Sequence, residues 1–227
     1  MITNPPNLQN WRDVPVVEQI QDHFTVPVLF ENDATAATLA EKWLGAGVAN
    51  DDFIYLTVST GIGAGIFSQG KLMSGARGNA GDVGHIVIDP AYGQCVCGQF
   101  GCFEMIASGT AIARLGSEAV GKTLTTKEVF TLYHKGDAAI VALIEKTFEK
   151  IGAGCVSLIN LFDPEKIVIG GGVSKVGEPL FSAVQQYVSQ YALNPSGRST
   201  EIVPAVLDQD AGFIGAAALA FKHKGDM

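Results

Sequence analysis

At 227 residues, with 47% hydrophobic and 17% charged side chains, the chain carries enough apolar material to bury one or two cores. Its formal net charge of −8 comes without any basic run, which argues against nucleic acid or an anionic membrane surface as the main partner. The opening MITNPPNLQNW lacks the layout of a secretory signal, the apolar stretch 211–221 is too short to span a bilayer, and clustered cysteines fit a reducing cytoplasm.

Asp13 is placed to cap a helix over residues 13–24, with Pro15 in its first turn and Val16, Ile20 and Phe24 on one face. Residues 26–30 are rich in β-formers and predict a strand. A helix of small residues follows from Asn32 or Asp33 to about Leu44, ended by Gly45 and Gly47. Residues 53–59 and 64–68 predict two strands, and the turn Thr60-Gly61-Ile62-Gly63 between them predicts a hairpin. A β-like run over 86–89 leads into a cysteine-rich loop, and a helical pattern covers 102–119. Thr125 and Glu128 form a capping box for a helix to about Tyr133. A long helix spans 138–162, stopped by Asp163-Pro164. Residues 166–169 predict a buried strand emptying into Gly170-Gly171-Gly172. A helix begins near Glu178, a last strand covers 201–207, and a terminal helix starts near Ala211. Strands alternating with helices argue for an α/β fold.

The densest chemistry lies in GHIVIDPAYGQCVCGQFGC, where His85, Cys95, Cys97 and Cys102 read H-x9-C-x-C-x4-C. One imidazole and three thiols in one short stretch match the ligand set of a tetrahedral structural zinc. Gly98 and Gly101 supply the positive φ that a chain wrapping a metal requires. The alternatives are coincidence or a disulfide knot, and the tight C-x-C disfavours pairing between its own two thiols. The remaining Cys155 reads as a buried thiol.

Four further pieces bear on function. Glu31-Asn32-Asp33 falls where a predicted strand meets a helix, the place where open α/β sheets gather ligands. Taken alone, such a pair is an N-cap. Thr60-Gly61-Ile62-Gly63-Ala64-Gly65 offers a hydroxyl and approachable backbone N–H groups to an anion, or is a plain glycine-rich hairpin. It is not a dinucleotide fingerprint, because Ile66 stands where the third glycine would fall. Asp82, three residues before His85, and Glu104, two after Cys102, would be drawn together by the metal loop, either to grip hydroxyls or as solvated carboxylates. Gly170-Gly171-Gly172 between strand and helix suits a nucleotide against backbone, although many α/β turns look alike. A fifth segment, residues 116–123, satisfies G-x-x-x-x-G-K-[ST], but a helical pattern precedes it where a P-loop needs a strand, so it reads as an inter-helix loop.

The segments PNLQNW, ENDATAATLAE, TVSTGIGAGI, GNAGDVGHI, CVCGQFGCFE, LINLFDPEKIVIGGGVS and DAGFIGAAALA together closely resemble the ROK family of bacterial sugar kinases and sugar-responsive repressors, and most of all its glucokinases. The resemblance implies the actin-like/hexokinase ATPase fold. It divides the chain into a remnant of a small N-terminal domain (1–47), a large C-terminal domain (48–210) carrying the zinc loop 85–102, and a terminal helix (211–227). It implies that Asp33 is the general base facing the 6-hydroxyl of a glucose-like hexose, and that Asn32, Asp82, His85 and Glu104 bind the other hydroxyls. Thr60, Gly61 and Gly63 would contact phosphate, Gly171 and Gly172 would lie near adenosine, and His85, Cys95, Cys97 and Cys102 would hold zinc. Mg-ATP is the implied co-substrate, and a homo-oligomer the implied assembly.

The chain departs from the family pattern at two points. Asp82 stands where the family usually has Glu, which draws the carboxylate back by one C–C bond, about 1.5 Å. The family's first phosphate loop, Asp-x-Gly-Gly-Thr, does not occur in the 227 residues, so the chain is expected to start inside the small domain and to turn over weakly on its own. Rival expectations are the sugar-sensing part of a repressor of the same family, and a sugar-binding remnant without chemistry.

Overall fold

The structure, a computed structural model, describes residues 10–224, so most of PNLQNW lies outside the described residues. The first helix, α1 (Val16–Gln21), is shorter than expected. Asp13 does not cap it: its backbone sits at φ 50°, and Pro15 takes the N-cap position without a side-chain bond. None of its residues is buried, and Ile20 and Phe24 face outward at 41% and 58% exposure. The strand expected over 26–30 is absent. Instead the side-chain amide of Gln21 takes the place of a ladder partner, donating to the carbonyls of Phe24 (2.7 Å) and Val26 (2.9 Å) and accepting from Val28 N (2.8 Å). These three bonds occupy backbone groups that a sheet would otherwise have paired.

Helix α2 (Asp33–Leu44) begins at Asn32, whose Oδ1 accepts from Ala34 N and Thr35 N, and ends at Gly45. The hairpin β1 (Phe53–Val58) and β2 (Ile62–Ser68) follows, with a short β3 (Lys71–Leu72). The β-like run at 86–89 is only an isolated bridge between Val87 and Cys102, since the loop there closes on itself. The helical pattern 102–119 breaks into α3 (Phe103–Ala107) and α4 (Gly109–Val120). The break is a fresh N-cap: Ser108 turns extended and its Oγ accepts from Ala111 N at 3.1 Å. Helix α5 (Thr126–His134) opens on the Thr125–Glu128 capping box, and α6 (Ala138–Phe162) is capped by Asp137 and stopped at a left-handed Asp163. Then come β4 (Lys166–Gly170), α7 (Glu178–Tyr191), β5 (Glu201–Pro204) and α8 (Ala211–Lys224). The last strand ends at Pro204 rather than 207, because the N–H groups of Val206 and Leu207 turn to the buried Glu41 carboxylate at 3.0 Å.

The five strands lie in the order β3-β2-β1-β4-β5, antiparallel across β3-β2-β1 and parallel across β1-β4-β5. The expected α/β class holds. Period-two alternation splits the sheet between two cores. Ile54, Leu56, Val58, Ile167 and Ile169 face Ile144, Ile151 and Leu158 of α6. Phe53, Tyr55 and Val168 face Leu39 and Ala40 of α2 and Ala218 of α8. Gly65 lets α2 lie close on the sheet, because a side chain there would strike Thr38, whereas one at Gly63 would make an ordinary 3.4 Å contact with Ala34 Cβ. The segment 116–123 is the end of α4 and its left-handed Gly121 cap, not a P-loop. Among the described residues no helix is long and apolar enough to cross a membrane.

Candidate functional site

Everything converges on the turn that joins β1 to β2. Because β1 and β4 run parallel with Thr57 opposite Gly170, the Ser59–Gly61 turn and the Gly170–Gly172 turn open on the same edge of the sheet. Ligands of open α/β sheets collect at such carboxyl ends. On one side of the β1–β2 turn lies a cavity of about 850 Å³, walled by Thr60, Thr110, Phe130, His134, Gly172 and Lys175 among others. Thr60 and Gly172 both line this cavity. Gly61, Gly63 and Gly171 do not line this cavity: Gly61 abuts the Glu104 carboxylate, Gly63 sits under α2, and Gly171, at φ 89°, presses on the Val58 backbone.

The sequence reading missed the far wall, formed by Lys127, Phe130, Thr131 and His134 of α5, and the flank formed by Lys175 and Val176. The available signals were only the helix starts at Ser108 and Thr125. Nothing local says that both point at Thr60. Lys175 also pairs with Asp208 at 3.2 Å.

On the other side of the turn the carbonyl-rich and acidic residues assemble. The first turn of α2 reaches Gly63 through Ala34, which brings Asn32 and Asp33 to the mouth of the hairpin. Asn32 spends its Oδ1 on the cap, with Ala34 N at 2.9 Å and Thr35 N at 3.3 Å. Asp33 is exposed and its Oδ1 accepts from Ala34 N at 2.8 Å, which orients the carboxylate outward. Gly84, between Asp82 and His85, packs on the Ile62 carbonyl and lies 3.4 Å from Glu104 Cβ by its missing side chain. Half-buried Glu104 accepts from Ile62 N at 2.9 Å through Oε2. Asp82 is exposed and heads the short 3-10 turn Val83–His85. Glu104 and the turn that Asp82 heads thus pack against Ile62, and the first turn of α2, with Asn32 and Asp33, against neighbouring Gly63.

The ligand atoms of His85, Cys95, Cys97 and Cys102 lie within 4.8 Å of one another. Cys97 and Cys102 Sγ stand 3.5 Å apart, and Cys95 Sγ stands 3.6 Å from His85 Nδ1. A disulfide would need about 2.05 Å. Four ligands held tetrahedrally at about 2.0–2.3 Å from an ion stand roughly 3.3–3.8 Å apart, a range that both pairs meet, so the cluster is one that could hold a metal and is not a bridge. Positive φ at Gly98 (91°) and Gly101 (72°) makes the loop possible, and a side chain at Gly101 would collide with the Asp89 carbonyl. The Gln99 backbone N–H draws the Cys97 thiol down to about 7, while burial pushes Cys102 up to about 12. A divalent cation would favour the thiolate at both. Cys155, fully buried, is pushed up to about 12 by burial alone and takes no part.

A family profile described as "ROK family" matches residues 1–223. The chain is 36% identical over 232 residues to a glucokinase of Halalkalibacterium halodurans, covering 96% of this chain and 70% of that protein. It is 39% identical over 214 residues to an N-acetylmannosamine kinase of Haemophilus influenzae, covering 94% and 70%. It is also 31% identical over 222 residues to the xylose repressor of Bacillus subtilis, covering 98% and 57%. Among solved structures, a ROK hexokinase from Thermus thermophilus superposes with TM-score 0.85 at 34% identity, over 95% of this chain and 72% of that one. A ROK family glucokinase from Streptomyces griseus, in complex with glucose and AMPPNP, gives 0.83 at 32%, over 92% and 73%. The architecture is the actin-like/hexokinase ATPase fold.

Proposed function

Because the chain belongs to the ROK family, we propose that it carries the sugar- and nucleotide-facing parts of a kinase that moves the γ-phosphoryl group of ATP to the 6-hydroxyl of a glucose-like hexose. One observation carries the reading: a single turn, Ser59–Ile62, lines a cavity of about 850 Å³ through Ser59 and Thr60 and holds the Glu104 carboxylate through Ile62 N. A relative of the same fold holds glucose and AMPPNP together.

In this reading Asp33 takes the proton of the attacking hydroxyl as the O–P bond forms, and ADP leaves with the electrons of the broken bond. Phosphoryl transfer depends on positioning and charge stabilisation more than on a strong base, so an exposed carboxylate held by Ala34 N suffices. Asn32 offers its amide nitrogen, with Asp82, His85 and Glu104 gripping the remaining hydroxyls. Thr60 faces phosphate and Gly172 the adenosine side, while Gly61, Gly63 and Gly171 shape the backbone behind the cavity wall. Magnesium bound with ATP would neutralise charge on its phosphates. Zinc suits the His85, Cys95, Cys97 and Cys102 donors, and would close the loop that presents Asp82 and Glu104. We place this machinery in a homo-oligomer.

The second reading, a sugar sensor, draws on the 31% identity to the xylose repressor. Calorimetric binding of glucose, mannose, fructose, N-acetylmannosamine, N-acetylglucosamine and Mg-AMPPNP, beside coupled ATP turnover, separates the two. The kinase reading expects both nucleotide and sugar to bind, with slow turnover by these 227 residues, which hold no Asp-x-Gly-Gly-Thr. Asp33→Asn should cut that turnover by about 10²–10⁴ while leaving sugar affinity nearly intact. Sugar binding without nucleotide binding would overturn the kinase reading in favour of the sensor.

A further inference from the structure

Cys102 is at once a ligand of the metal quartet and the N-cap of α3, and it is completely buried. From that point the chain makes one turn of helix, breaks at the buried Ser108, and restarts as α4. Within these few residues three hydrogen bonds reach across to the β1–β2 turn. Ile62 N donates to Glu104 Oε2 at 2.9 Å. Gly109 N donates to Ser59 O at 2.6 Å. Thr110 Oγ1 donates to Thr60 O at 2.8 Å. The turn makes one bond of its own, from Ser59 N to Gly61 O at 2.9 Å. Its conformation is therefore set by the β1–β2 register, which pairs Val58 with Ile62, and from outside by a segment whose other end is Cys102 of the metal-ligating cluster. Glycine at position 61 leaves room for the Glu104 carboxylate to lie against the turn. Thr60 and Thr110 in turn line the cavity.

Resting on the nucleotide assignment above, we propose that residues 102–110 form a strut through which the metal centre sets the shape of the Ser59–Ile62 turn, and with it the nucleotide affinity of the cavity. Glu104 and Thr110 are its positioning residues. Metal and nucleotide are then thermodynamically linked, although no metal ligand lines the cavity. The linkage runs through hydrogen bonds between rigid helix starts, so it requires no large motion.

The test titrates Mg-AMPPNP into metal-loaded protein and into protein stripped with dipicolinate and returned to magnesium. Stripping should weaken AMPPNP binding by about tenfold, in the usual range of coupling between two sites. The reciprocal measurement needs no stripped protein: saturating Mg-AMPPNP should tighten metal retention against a chromogenic chelator by the same factor. Glu104→Ala should bind AMPPNP weakly with metal in place and lose most of the metal dependence. Glu104→Gln, whose amide oxygen still accepts from Ile62 N, should restore it. Thr110→Val should weaken AMPPNP binding at unchanged metal content. AMPPNP binding that is equal within about twofold in loaded and stripped protein, or an undiminished metal effect in Glu104→Ala, would overturn the strut. Absence of any AMPPNP binding to loaded wild-type protein would instead remove the nucleotide assignment, and the strut with it.

Discussion

Strand β1 and the loop between Val83 and Cys102 are joined through their neighbours Ile62 and Glu104, yet different physics holds each in place. Phe53, Ile54 and Leu56 of β1 are completely buried between two helical layers. Burying each such side chain stabilises the fold by about 1.5–3 kcal/mol. The loop has little of this. Val87, Val96 and Phe100 are 47%, 80% and 55% exposed, and its only sheet-like features are two isolated bridges. Its order comes from tight turns, such as Cys95 N to Gln99 O at 2.7 Å and Gly98 N to Cys95 O at 2.9 Å, and from the four converging ligands. The core can therefore lose one contact and persist, whereas the loop draws much of its order from one shared centre.

Replacing one ligand should show this most sharply. Cys97→Ser is expected to reduce bound zinc from about one ion per chain to near none by mass spectrometry of the native protein. Hydrogen exchange should then accelerate across 83–102 while the amides of β1 and β4 keep their protection. Equal acceleration in both regions would erase the distinction. Phe148→Ala tests the converse. Phe148 of α6 is 1% exposed and touches the Tyr133 ring edge-on at 6.1 Å between centroids. Its truncation should cost about 3–5 kcal/mol in urea unfolding, with zinc content of the folded fraction unchanged. A cost under about 1 kcal/mol would mean that this core is not close-packed.

The same contrast explains what could be read from the chain alone. Helix α6 and the capping box of α5 carry local signals, apolar periodicity and a Thr-x-x-Glu pattern, and both appear as expected. The clustering of His85, Cys95, Cys97 and Cys102 was legible because they lie within one short stretch, and their ligand atoms converge to within 4.8 Å. Residues 26–30 misled because β-branched side chains report a preference, not the presence of a ladder partner, and Gln21 had already engaged the backbone. Gly65 looked like part of an anion-binding turn, but it makes room for Thr38 of α2. The cavity could not be anticipated, because Thr60, Thr110, Phe130 and Lys175 come from four separate segments that only the sheet order brings together.

Gly154 lies at the border between the two regimes. A Cβ there would sit 2.6 Å from Cε1 and Cζ of Phe103, the buried residue directly after Cys102. In an open helix Gly→Ala would gain about 1 kcal/mol. Here overpacking of about 1–3 kcal/mol opposes that gain, because both ring and helix backbone are confined. Gly154→Ala is expected to be net destabilising in thermal melts and, unlike Phe148→Ala, to weaken zinc retention as Phe103 shifts. A gain in stability with zinc retention unaltered would show that the core and the loop are mechanically independent.

The smallest effect belongs to the ion pair that docks the loop on α6. Lys150 Nζ lies 2.9 Å from Asp89 Oδ2, and Asp89 also caps Ala91 N at 3.0 Å through its other oxygen. Lys150 holds the Asp89 carboxyl below the ordinary carboxylate range, with Ala91 N–H adding to it, and Asp89 in turn raises Lys150. A lowered carboxyl stabilises the fold above its unfolded value, about pH 4, and that contribution disappears as pH falls through the lower folded value. A raised ammonium stabilises below about pH 10 and is lost above it. The pair is thus fully formed between these limits. Lys150→Met should lower the melting temperature slightly at pH 7, less than Gly154→Ala does, because both charges are partly solvated. The gap between variant and wild type should close on acidification below about pH 4. A gap that persists unchanged through that range would assign the contact to packing of the lysine stem rather than to charge.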